Sequence, residues 1–268
     1  MKPEIIIRRA RTVADYQACQ NAQRAAWGIA DDSYVVPVAT MVGAQLHGGL
    51  VLGAFLPEGE AVGLSFAFLG RTDGRLCLYS QLTGVVPGYQ GQGLGFLLKD
   101  AQRDVARAEQ IPCIAWAFDP LQAGNARFNL EKLGATSGRY VVNMYGPRSD
   151  ALNRNTSTDR LIAVWETEPV PPRLFDAALV QDLPRIVAAE LASDDPARPI
   201  VSGIPGDATR VLLEVPSEIN ALRAEHPNLA ERWGLGVREG FVSAFEAGFR
   251  AVGFVRDGNR GFYVLERG

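Results

Sequence analysis

Lysine, histidine and cysteine are all scarce in this chain of 268 residues. The two histidines are His47 and His226, and the three cysteines, Cys19, Cys77 and Cys113, include no Cys-x-x-Cys pair. A zinc site needs closely spaced ligands of these types, so we expect no metal. An odd, widely scattered set of cysteines is no disulfide framework either. Cys77 and Cys113 sit in apolar runs and read as small buried hydrophobes in a reducing compartment. No run of ~18 apolar residues occurs, which argues against a spanning helix. Residues 1–4 lack the apolar core of a signal peptide, and a cytoplasmic location is the expectation. Net charge is only −3, so neither nucleic acid nor membrane is expected as a partner through bulk charge. The cations are almost all arginine, 24 against 3 lysines.

What is present is an ordinary globular mixture, with 47% hydrophobic and 21% charged residues, which excludes disorder. At ~100–200 residues per domain the length favours two domains. Ile5, Ile6 and Ile7 begin a β-branched strand over residues 4–9. Thr12 and Asp15 form an imperfect capping box for a helix that Gly28 ends. Residues 34–37 read as extended and 40–46 as a short helix. Three successive strands follow at 49–56, 61–69 and 75–86, the last two joined by the hairpin pair Asp73-Gly74. Leu94, Leu97, Leu98, Ala101, Val105 and Ala108 lie on one face of a helix. A buried strand at 111–118, a helix at 125–133 ending on Gly134, and strands at 140–145 and 160–166 complete a β-α-βββ-α-β-α-β order. This is an α+β chain with a mixed, mostly antiparallel sheet and helices on both faces. Glu168-Pro169-Val170-Pro171-Pro172 is a stiff break. It divides the chain into 1–168 and an α+β extension, 169–268, with strands at 209–215, 251–255 and 261–266 and helix over most of 217–250. The extension holds no lysine, 11 Arg and 14 Asp plus Glu, and so carries the whole net charge.

The most informative segment is Val85-Val86-Pro87-Gly88-Tyr89-Gln90-Gly91-Gln92-Gly93-Leu94-Gly95, which leaves a strand and enters a helix. Glycine gives up the most backbone entropy on folding, so four in eight residues need a reason. The reason on offer is a turn whose N–H groups converge at the positive end of a helix dipole, where a pyrophosphate can bind. The spacing excludes a Walker loop, which ends in Lys-Ser/Thr, and a dinucleotide fingerprint, which follows a first parallel strand.

Gln90-x-x-Gly93-x-Gly95 at this junction resembles the acyl-CoA signature of the GNAT superfamily of N-acetyltransferases. Asn125-Ala126-Arg127-Phe128-Asn129-Leu130-Glu131-Lys132-Leu133-Gly134 resembles that family's second motif. The resemblance covers roughly residues 1–166. It implies the acyl-CoA N-acyltransferase fold, acetyl-CoA as co-substrate, and direct attack of an amine on the thioester. Backbone amides of Gln90, Gly91, Gln92, Gly93, Leu94 and Gly95 would hold the pyrophosphate. Val85 would bond the pantetheine arm, which would lie between the strands at 75–86 and 111–118. Asn125 and Phe128 would flank it near the thioester, unless they serve only as a helix cap and a core ring. The acceptor would be a small-molecule or peptide amine; the oligomeric state is not legible.

The pattern departs from the family at Leu130, where many members carry a tyrosine that protonates the departing thiolate, and leucine cannot donate a proton. Tyr145 is the first substitute acid and Asp119 the candidate base, set against plain readings as a strand aromatic and a turn former. His47 is a weaker candidate. Asp159-Arg160 reads as a strand-entry pair or a substrate-carboxylate anchor. Without a clear acid or base, an acyl-CoA-binding module that does not turn over is the alternative. Glu231-Arg232-Trp233-Gly234-Leu235-Gly236 faintly echoes the first motif. The extension is therefore either family-specific or a degenerate second GNAT-like half, as in a tandem transferase with a larger acceptor; no second CoA site is expected in either case.

Overall fold

A computed structural model describes residues 4–146, 157–171, 173–190 and 197–268. Pro172, the last residue of the expected break, lies outside them. The chain forms two compact units. The first comprises Met1–Trp116 with Glu166–Pro169, and the second Ala117–Trp165 with Val170–Gly268. The division by compactness thus falls at Trp116, not at the prolines. The return of residues 166–169 has a local cause: the Thr167 hydroxyl donates to the Ile111 carbonyl at 2.8 Å and its N–H to that of Pro112 at 3.0 Å.

The first unit runs β1 (Ile6–Arg9), α1 (Val13–Trp27), α2 (Val38–Leu46), β2 (Leu50–Phe55), β3 (Ala61–Thr72), β4 (Arg75–Val85), α3 (Leu94–Ala108) and β5, which begins at Cys113 and extends to Phe118. Strand order is β1-β2-β3-β4-β5. The first four strands pair antiparallel, and β4 and β5 pair parallel. Alternation along β3 sends successive side chains to opposite faces. Leu64 and Phe66 join Tyr16, Cys19 and Met41 in a core under α1 and α2. On the other face, Ser65 accepts from Gln102 of α3. Helix α1 starts on the expected capping box: the Asp15 N–H donates to Thr12 Oγ1, and the Thr12 N–H to Asp15 Oδ2. Its Gly28 end is left-handed. Arg8 adds two bonds to the same carboxylate, at 3.0 and 2.7 Å. That guanidinium holds the Asp15 carboxyl well below the usual carboxylate range.

The second unit adds a short helix, α4 (Ala123–Ala126), continuing into a π-helical stretch (Arg127–Lys132), then β6 (Thr136–Val141) and β7 (Arg160–Glu166). Helix α5 (Leu179–Asp182), β8 (Arg185–Glu190), β9 (Arg198–Val201), β10 (Arg210–Pro216), α6 (Ile219–Glu225), α7 (Pro227–Glu246), β11 (Phe249–Asp257) and β12 (Arg260–Arg267) follow. Its strands lie in the order β7-β6-β11-β12-β10-β8-β9, antiparallel except where β10 meets β8. Val180, Leu212, Val255, Phe262 and Val264 form one core cluster of this unit.

Three differences from the sequence reading have physical causes. Strands β8 and β9 and helix α5 went unread, because their residues carry little alternation. The strand expected at 140–145 is shifted to Thr136–Val141, with Tyr145 in the turn beyond it. The glycines of 231–236 lie inside α7, so no phosphate-type turn exists there. A Cβ placed on Gly236 would lie 3.3 Å from Pro199 and one on Gly240 only 2.5 Å from Val187, so these glycines let α7 approach the sheet closely.

Replacing Asp15 by alanine removes the carboxylate half of the capping box and the Arg8 partner together, while the Thr12 cap itself remains. We predict a loss of about 1–2 kcal/mol at neutral pH by urea denaturation. Because the folded-state carboxyl is depressed, the stabilisation exists above its unfolded pKa of about 4 and disappears as pH falls below that value. The two proteins should therefore converge in acid.

Candidate functional site

The turn after β4 is built as its composition requires. Pro87–Tyr89 forms one 3₁₀ turn, Gly91 and Gly93 have φ of 73° and 83°, and α3 begins at Leu94. L-residues with side chains rarely adopt those positive angles, which explains two of the glycines. Gly95 needs a different account. Its φ is not positive, and a Cβ built on it meets no protein atom within 4 Å. A glycine early in a helix, where alanine would fit, costs about 0.5–1 kcal/mol, and the space beside its Cβ position is open. Gly93 at the N-cap supplies no side-chain acceptor and the first turn carries no acidic residue. The leading amides of α3 therefore face outward beside exposed Gln92, at the positive end of the helix. Gln90 Nε2 donates to the Val85 carbonyl at 3.0 Å, tying the turn to the strand end. The residues fit a diphosphate held by main-chain donors.

The strand leading into this turn separates from its neighbour. Strands β4 and β5 are in register at Cys77–Cys113, Leu78–Ile114 and Tyr79–Ala115. A bulge at Gln81, where Phe66 and Ala67 oppose Leu82 and Ser80, bends β4. The bulge also changes which side chains share a face. In a regular strand residues three apart point oppositely. Here the Ser80 and Thr83 hydroxyls lie 3.4 Å apart, and Thr83 is 3.0 Å from Ser65.

Into this hydroxyl cluster α3 sends Lys99. Its Nζ donates to Ser80 Oγ at 2.9 Å, lies 3.5 Å from Gln102 Oε1, and sits 3.9 Å from the centre of the Trp116 ring. Lys99 is 5% exposed and forms no ion pair among the described residues. Burial alone pushes its pKa from the usual 10.5 down to about 7. The buried face of α3 is Leu94, Leu98, Lys99, Gln102 and Ala106, rotated from the expected stripe, and Leu97 is 48% exposed. Sequence reasoning missed Lys99. The available signal was a lysine spaced with Leu98 and Gln102 in a chain that otherwise uses arginine.

On the opposite face of β3 an open hollow of about 500 Å³ is lined by Tyr34, Val36, Thr40, Phe66, Phe68 and Gln81, among others. No carboxylate or basic side chain lines it.

The other expected residues belong to the second unit. Asp119 accepts from the Leu121 N–H at 2.9 Å and from Arg223 Nη2 at 2.9 Å, so its carboxylate is engaged by a turn and an ion pair. Tyr145 is 37% exposed; its N–H donates to Thr158 Oγ1, and Arg160 lies over its ring. Asn125 is exposed and within α4, whose N-cap is Gln122, so it caps nothing. Phe128 is half-buried and lines a second hollow with Gly124, Arg127, Lys132 and Leu174. The helix there is over-wide: the Leu133 N–H reaches back five residues to the Phe128 carbonyl. Leu130 is fully buried. Asp159 accepts from Tyr140, the Asn143 N–H and the Nε and Nη2 of Arg238, which makes it a structural hub. Its hydrogen bonds outweigh burial and lower its pKa. His47 is an exposed helix end. Among the described residues no group of His, Cys, Asp and Glu could hold a metal ion, and no helix is long and apolar enough to cross a membrane.

Neither a family model nor a curated relative matches the chain. Solved structures similar to it include several acetyltransferases. A putative acetyltransferase from Salmonella typhimurium, solved with acetyl-CoA, is 23% identical. It aligns over 64% of this chain and 99% of its own, with a TM-score of 0.49. The ribosomal-protein-S18-alanine N-acetyltransferase of Escherichia coli is 19% identical over 65% and 100%, with a TM-score of 0.47. A putative acetyltransferase of the GNAT family from Desulfovibrio desulfuricans is 17% identical over 61% and 99%, with a TM-score of 0.44.

Lys99 gives a pH signature. Between about pH 7 and 10.5 the unfolded chain holds a proton at this lysine that the folded chain has lost. Stability must rise with pH across that window. Denaturant titrations should show this rise in the wild type and its loss in Lys99→Met, which should be at least as stable as wild type at pH 7 because it removes an unpaired buried cation.

Proposed function

We propose that the chain is a CoA-dependent acyltransferase of the GNAT type, moving acetyl from acetyl-CoA to an amine by direct attack. One observation carries this reading: an uncapped, acid-free helix start preceded by left-handed glycines, with open space beside the Cβ position of Gly95. Residues 1–168 form the acyl-CoA-binding part, and 169–268 are an extension to it. The amides of residues 90–95 hold the pyrophosphate, and the open edge of β4 beyond Tyr79 receives the pantetheine arm as a pseudo-strand. Asn125 and Phe128 are assigned to the arm, and Tyr145 and Asp119 remain assigned to the reaction only in so far as the acceptor displaces their present partners. The acceptor is a small-molecule or peptide amine whose body is apolar, because the hollow over Phe66 and Phe68 has no charged side chain to pair with an ionic one. The enzyme contributes position, donors for the developing oxyanion and a proton path.

A second reading, an acyl-CoA-binding module without turnover, is favoured by the engaged Asp119 and by Leu130 at the usual acid position. Release of free thiol from acetyl-CoA in the presence of an amine panel separates the two.

Acetyl-CoA at a hundredfold excess over Kd should stabilise the wild type by about 2.7 kcal/mol, and the double variant Gln92→Glu, Gly93→Asp should show no such shift. Gly95→Ala is the sharper test. It should gain about 0.5–1 kcal/mol in denaturant stability while CoA affinity, measured by isothermal titration, falls at least about tenfold, or 1.4 kcal/mol. Unchanged affinity would remove the site.

A further inference from the structure

Lys99 occupies a particular place in the first unit. Ser80 and Trp116 are the residues immediately after the last paired positions, Tyr79 and Ala115, of β4 and β5. Lys99 Nζ touches both, donating to Ser80 Oγ at 2.9 Å and lying 3.9 Å from the Trp116 ring centre. The ammonium therefore sits where the two strands begin to part. Its remaining contact, Gln102 Oε1 at 3.5 Å, is neutral. Gln102 Nε2 donates in turn to Ser65 Oγ, and Ser65 meets Thr83, so the surrounding ring of polar groups contains no carboxylate. No charged group on α3, β3, β4 or β5 acts electrostatically on it; burial is the whole cause of its low pKa.

A buried cation without a counter-ion is unfavourable unless an anion arrives. Resting on the acyl-transfer reading above, we propose that Lys99 is the group that meets the negative charge of the reaction, stabilising the departing CoA thiolate and protonating it, in the role that Leu130 cannot fill. The acceptor nitrogen bonds to the acyl carbon. The carbon–sulfur bond breaks with its electron pair going to sulfur, and Lys99 gives that sulfur a proton. The proton lost by nitrogen passes to solvent, and Lys99 takes one back, so amine and thioester become amide and thiol. The hydroxyls of Ser80 and Thr83, placed on one face by the bulge, orient the ammonium and connect it to half-buried Thr83. The Trp116 face favours the charged form and offsets part of the desolvation.

The test measures ionisation of the thiol of bound CoA by its thiolate ultraviolet absorption, in wild type and in Lys99→Met, alongside CoA affinity by isothermal titration. In wild type the bound thiol should ionise below about pH 7.5; in Lys99→Met it should return to about 8.5, its free value, with affinity retained. Retained affinity also shows that the variant is folded. With an amine that supports turnover, kcat should fall about a hundredfold or more in Lys99→Met while KM for acetyl-CoA is unchanged. Lys99→Arg, which keeps a charge but cannot donate its proton, should lower the bound thiol pKa without restoring kcat. Binding with the same thiol pKa in wild type and Lys99→Met overturns the role of Lys99 alone. No CoA binding to wild type overturns the acyl-transfer reading and this one with it.

Discussion

Three residue pairs of parallel strand, from Cys77–Cys113 to Tyr79–Ala115, hold β4 against β5, and the rest of the site follows from where that pairing stops. Beyond Tyr79 the far half of β4 pairs with β3, and the bulge at Gln81 falls at the start of that stretch. A strand edge within a sheet is costly to leave unused, since it exposes a row of polar groups that seek a partner. A peptide-like arm entering there satisfies them by the same bonds a strand would make. On the proposed reading, the arm would run toward the turn that follows.

The two faces of this strand pair do different work because alternation separates them. Phe66 and Phe68 stand on the face of α1 and α2, beside the uncharged hollow. Ser65, Ser80 and Thr83 stand with Lys99 and Gln102 on the face of α3. One extra residue in β4 is what brings Ser80 and Thr83 together, so the polar cluster depends on a backbone irregularity as much as on side-chain identity. Helix α3 joins both parts of the proposed site: its first turn presents amides at Gly93 and Leu94, and its second carries Lys99.

Most of this was legible where local chemistry decides. The capping pair Thr12 and Asp15, the Asp73-Gly74 hairpin, and the glycines before Leu94 each name their structure through one or two residues, and each stands where it was expected. The face of α3 was not legible, because periodicity counts apolar residues, and the buried stripe includes Lys99 and Gln102. The bulge at Gln81 leaves no mark in composition. Asp119 and Asp159 looked available in the sequence because their partners, Arg223 and Arg238, are 104 and 79 residues away. The over-wide helix around Phe128 was equally invisible, since its residues are ordinary helix formers.

Arginine recurs through the ion pairs, from Arg8 with Asp15 to Arg260 with Glu214. A guanidinium stays protonated at any pH the fold survives and so is a poor nucleophile, whereas an exposed ε-amine is a ready target for an activated ester. With only Lys2, Lys99 and Lys132 in the chain, an acyl-transferring protein of the kind proposed would offer its thioester few lysine amines, exposed Lys132 among them. On that reading the preference for arginine over lysine would limit self-acylation and leave the acyl group for the acceptor.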